Sequence, residues 1–77
     1  MITFAMKLRA NRNLLGLSQV ELAELSGVGQ WSITAYEREK IPMEKHVISL
    51  NEALEARAKE KGITLPYHLI EPALQAA

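Results

Sequence analysis

Residues 17–37 read LSQVELAELSGVGQWSITAYE, and the architecture of the chain turns on them. Ser18 followed three residues later by Glu21 is a capping box, in which the hydroxyl and the carboxylate each satisfy an orphan amide at a helix start. The helix it opens runs to about Leu25, with Leu22, Ala23 and Leu25 apolar. Gly27 supplies the positive φ that a sharp turn requires. A second helix follows from Gly29 to Glu37. With Ile33 as its innermost residue, steps of about 100° bring Tyr36 and Glu37 inward beside it. The same steps turn Trp31, Ala35 and Arg38 outward and leave Gln30 and Thr34 on the flanks.

Two short helices joined by a tight turn, the second with a polar outer face and one large aromatic, suit the major groove of DNA. That groove is just wide enough to admit an α-helix. The interlock sets its own residue rules. Ala23 must be small where the helices approach, Gly27 must take the left-handed turn, and Ile33 must anchor the second helix. These three residue types at spacings of four and then six form a specific signal.

Outward from this stretch, Phe4, Leu8 and Leu15 share one helical face, which predicts a helix over 3–15 with Thr3 as N-cap and Gly16 as stop. Arg12 falls on the same stripe and needs an acidic partner. Glu37, on the inward stripe of its own helix, supplies one, so Arg12 and Glu37 are expected to form a buried ion pair. Pro42 makes residues 38–42 a loop. Val47, Leu50, Ala53, Leu54 and Arg57 follow helical spacing within a fourth helix, Met43 to Lys61, ended by Gly62. Its charged later turns, 55–61, are expected to project into solvent. In the tail, Leu65, Tyr67 and Leu69 alternate like a strand, although a short helical turn also fits. Together with Ile70 and Leu74 these residues either close the core or form a dimer interface, the latter being preferred for so short a chain. The domain is therefore taken as residues 1–62, with 63–77 as a C-terminal extension that serves as a dimerisation tail.

Seventy-seven residues carry one core, and no cysteine is present to staple it. No aspartate occurs and the histidines are His46 and His68, which leaves catalytic and metal-ligand sets nearly empty. His46 reads as a surface or partly buried side chain, and His68 has no ligand-spaced companion. No cofactor, metal or small-molecule ligand is expected. No apolar run reaches the ~18 residues of a membrane span, the N-terminus lacks a signal-peptide layout, and a cytoplasmic location fits. Net charge is zero, which argues against coating nucleic acid by charge alone. Yet residues 1–17 hold Lys7, Arg9 and Arg12 without an acid, so a basic patch must be made by folding. Lys7 and Arg9 fit either phosphate contact or simple solubility.

The quoted stretch resembles the helix-turn-helix of the lambda-repressor-like family, which includes phage Cro and CI repressors and many bacterial regulators. The likeness extends back through Leu8, Arg12, Leu15, Gly16 and Leu17 and forward to Pro42, Val47, Leu50 and Leu54, covering roughly residues 3–62. It implies an all-α domain of four to five helices that binds double-stranded DNA as a homodimer on a pseudo-palindromic operator, as a repressor. Gln30, Trp31 and Ala35 match positions that face base edges. Gln19, Ser32, Thr34 and Lys40 match positions that meet, or lie near, the DNA backbone. Three residues depart from the family pattern: Ala35 replaces a polar reader, Trp31 stands where a polar side chain is usual, and Glu39 stands where glycine is common.

Two other classes compete. A protein-interaction module on the same scaffold, such as an antitoxin or phage accessory factor, fits the neutral charge, Trp31 and the apolar tail. An enzyme would need a nucleophile–base pair, a carboxylate cleft or a phosphate loop, none of which the sequence offers. The order Tyr36-Glu37-Arg38-Glu39 echoes the MerR-like winged family, but the long helix before Ser18 fits that family poorly.

Overall fold

The computed structural model describes residues 1–70. They form four helices, α1 (Phe4–Leu14), α2 (Gln19–Ser26), α3 (Gln30–Glu37) and α4 (Glu44–Lys61), and contain no strand. The fold is all-α. Local chemistry sets the helix ends. The Thr3 hydroxyl accepts from the Met6 amide at the start of α1. Ser18 accepts from the Glu21 amide while the Glu21 carboxylate accepts from the Ser18 amide, completing the capping box of α2. Gly27 ends α2 at φ +78°, a left-handed value that any side chain would strain, and its amide donates to the Ala23 carbonyl at 2.9 Å.

α2 packs on both α3 and α4, and α1 packs on α3. The centre is made of Leu8, Leu15, Leu22, Ile33, Leu50 and Leu54, all fully buried. Ala23 packs half-buried against this cluster, as the interlock requires. Phe4 meets the Tyr36 ring edge-on at 6.3 Å, and the Tyr36 hydroxyl hydrogen-bonds His46 Nδ1 at 2.6 Å. His46 is thus a half-buried bridge between α4 and α3.

Two expectations need correction. The last turns of α4 keep Glu55, Lys59 and Glu60 exposed, but they do not leave the core. Ala58 is buried, and Lys61 Nζ donates to the Leu15 carbonyl at 2.9 Å, so this end lies against the α1–α2 corner. The alternating charges hid one small residue that allows close approach. The tail also differs from both of its proposed forms: residues 63–70 run irregularly, neither strand nor helix. Leu69 is buried in this chain's own core, and Ile63 and Leu65 pack against it, so these three residues contribute to the monomer core, one of the two roles the sequence allowed. Asn11 Nδ2 donates to the Tyr67 carbonyl at 2.9 Å, and the Leu69 amide donates to Asn51 Oδ1 at 3.4 Å. Two buried asparagines therefore hold the tail down. Leu74, the other member of that apolar group, lies outside the described residues.

Candidate nucleic-acid interface

Ile33 and Tyr36 are buried, which fixes the rotation of α3 about its own axis. The opposite side must then face outward, and Trp31 is 79% exposed there. Ala35, one helical turn further on, is half-buried, and Arg38 beyond it is exposed. Gln30, Ser32 and Thr34 flank this line, each half-buried. The phase read from the sequence places Trp31 and Ala35 on the outward line of α3, with Gln30 on its flank.

What holds α3 against α2 and α1 is a polar network centred on Glu37. The Glu37 side chain is only 2% exposed and that of Arg12 13%. Arg12 Nε donates to Glu37 Oε2 at 2.6 Å and Arg12 Nη2 to Oε1 at 2.8 Å, a two-pronged pair, while Nη1 donates to the Leu17 carbonyl at 2.9 Å. Gln19 Nε2 adds a third donor to the carboxylate, at Oε1 and 3.2 Å, Arg9 Nε approaches the same oxygen at 3.5 Å, and Arg9 Nη2 donates to the Glu37 main-chain carbonyl at 2.9 Å. Burial pushes the Glu37 carboxyl up, but the hydrogen bonds of Arg12 and Gln19 and the Arg12 charge outweigh it and hold it below the usual range. The hydrogen bond to Glu37 raises the Arg12 guanidinium in turn. The expected ion pair is present, and it is the hub of a larger set.

That set changes the standing of two expected DNA-backbone residues. Thr34 Oγ1 donates to Gln19 Oε1 at 2.6 Å, so both ends of the Gln19 amide and the Thr34 hydroxyl are engaged inside the protein. Arg9, left open between two roles by the sequence, joins the Glu37 cluster while remaining more than half exposed. Its part was hidden because a long side chain reaches sideways, off the stripe that helical spacing reveals.

Beyond α3 the chain turns through Arg38, Glu39 and Lys40, all exposed. Glu39 takes φ +74°, a left-handed conformation unusual for a residue with a Cβ. Its carboxylate accepts from Thr3 Oγ1 at 3.1 Å, which ties the loop to the start of α1. Lys40, expected at the phosphate backbone, is adjacent. Among the described residues, no group of three or more histidine or acidic side chains is placed to hold a metal ion, and no helix is long and apolar enough to cross a membrane.

A helix-turn-helix family model matches residues 8–61, which takes in most of α1, α2, α3, the turn between them and all of α4. No match was found among curated proteins or among solved structures.

Proposed function

Because the chain belongs to the lambda-repressor-like helix-turn-helix family of DNA-binding domains, we propose that it is a transcriptional repressor that grips a short pseudo-palindromic operator as a homodimer. Domains of this family bind DNA and regulate without catalysing a reaction. In this reading α3 enters the major groove and Gln30, Trp31 and Ala35 meet base edges, with the Gln30 amide able to pair with adenine. Ser32 and Lys40 serve the phosphate backbone, together with the start of α2 at Gln19, whose side chain acts by fixing Thr34 and Glu37. The protein acts in the cytoplasm, on half-sites about one helical turn, ~34 Å, apart. The observation that carries this is the outward line of α3, locked in rotation by Ile33, Tyr36 and the Glu37 network.

The test is selection from a random duplex library at two salt concentrations, followed by binding of two variants. An enriched palindrome is expected. Gln30→Ala should then relax preference at one base pair per half-site, costing roughly 1–3 kcal/mol on the best duplex and little on random DNA. Lys40→Ala should weaken all duplexes alike and lower the salt slope by about one unit. If both variants lost the same amount on operator and random duplex, α3 would not be the reader. An interaction module on the same scaffold would then be the better account.

A further inference from the structure

Resting on the reading of α3 as the groove-facing helix, we propose that this protein reads the 5-methyl groups of thymine in its site, with Trp31 as the residue that contacts them. Trp31 and Ala35 stand one turn apart on the same face of α3, so the outward line within the helix is an indole followed by a methyl group, and the exposed Arg38 comes only after its C-terminal end. Neither can read a base pair by the paired donor–acceptor contacts that discriminate in the major groove. The hydroxyl of Thr34, which could have added one, is turned to Gln19 at 2.6 Å, and Gln19 is held by Glu37. Tyr36 and Glu37 are buried on the opposite side. The polar groups left to α3 are the half-buried Gln30 and Ser32 on its flanks.

An indole 79% exposed to water gains most from an apolar surface that covers it. On the major-groove edges of the four base pairs, the apolar feature is the C5 methyl of thymine. Trp31 lies in the first turn of α3, the end that reaches base edges in this mode of docking. A protein partner would cover Trp31 best within a surrounding apolar patch that excludes water. On α3 its neighbours are Gln30, Ser32 and Ala35, which are polar or small.

The experiment uses the whole chain and the duplex it enriches from a random library. Each thymine is replaced in turn by deoxyuridine, which removes the methyl group and keeps the base pair. One or two positions per half-site should lose roughly fourfold in affinity, the value of one buried methyl group. At those positions 5-methylcytosine paired with guanine should bind tighter than cytosine by a similar factor. Trp31→Ala should bind the thymine and uracil duplexes equally. Trp31 is the sole tryptophan, so its fluorescence should also change on binding the enriched duplex. A wild-type protein indifferent to every uracil, or a Trp31→Ala variant that keeps the full discrimination, overturns the inference and leaves DNA reading intact. The uracil series on the wild type decides even if the variant fails to fold. Enrichment of no duplex removes the DNA reading, and this inference with it.

Discussion

Glu37 accepts from Arg12 twice and from Gln19 and Arg9 once each while almost wholly shielded from water, so its charge is compensated only as long as those donors stay in place. Removing Arg12 leaves the buried carboxylate with only Gln19 and the largely exposed Arg9, and removing Glu37 leaves the Arg12 guanidinium uncompensated, whereas removing both leaves neither charge behind. Arg12→Met or Glu37→Gln should each cost about 3 kcal/mol in denaturant unfolding, and the double variant clearly less than their sum. Additive losses would mean that the pair does not act as one. Its pH dependence follows from the lowered carboxyl. A carboxyl whose value falls on folding contributes stability that is complete above its unfolded value, about 4.3, and is lost as pH drops through the folded value. Acid unfolding of the wild type should therefore steepen below pH ~4, and Glu37→Gln should lack that component. Glu39 presents the opposite case, a residue that works against local stability. Its φ of +74° costs a side chain about 1 kcal/mol that glycine avoids, while its exposed hydrogen bond from Thr3 returns little. Glu39→Gly should raise the thermal midpoint by a few degrees. A fall would show that the tie to Thr3 outweighs the backbone strain.

At the scale of helices, the pairing of α2 with α3 depends on one small side chain. Ala23→Leu should overpack the crossing and cost ~1–3 kcal/mol, visible as a lower thermal midpoint, and an unchanged midpoint would remove Ala23 from any tight contact. Helix ends were legible in the sequence to within a residue because caps are local chemistry: Thr3, Ser18, Gly27 and Gly62 need only their own neighbours to act. The inward residues of α3 were legible for a similar reason, since one anchored position, Ile33, sets the phase of all the others. Arg12 and Glu37 could be paired because each fell on an apolar stripe where a lone charge is untenable. The membership of Gln19 and Arg9 in their cluster was not legible. Arg9 sits off its stripe, Gln19 is a polar residue at the very start of α2, and both arrive through side-chain length, which depends on how three helices come together. Ala58 was missed because charged neighbours on either side masked a single small residue that is buried in the core.

Across the whole molecule, the feature least available from sequence is how the chain closes after α4. Residues 63–70 have no period, so no pattern could show that Asn11 and Asn51, far apart in sequence, would hold the backbone at Tyr67 and Leu69. The result is a core drawn from all four helices and finished by Leu69, which is 6% exposed. Leu69→Ala would delete buried methyl groups from the core cluster and leave a cavity that a domain this small cannot readily collapse. The expected loss is about 2–4 kcal/mol. This is a large share of the stability available to so short a chain, so the thermal midpoint should fall by ten degrees or more, by the usual scale of ~4–8 °C per kcal/mol. The same variant separates the two roles that an apolar tail can play. If Leu69 serves only the monomer core, the variant's mass by sedentimentation at a temperature where it remains folded should equal that of the wild type. Its affinity for a duplex that the wild type prefers should also match under those conditions. A variant that melts like the wild type but loses its partner copy would instead place Leu69 between subunits, and the closing of the core by residues 63–70 would have to be given up.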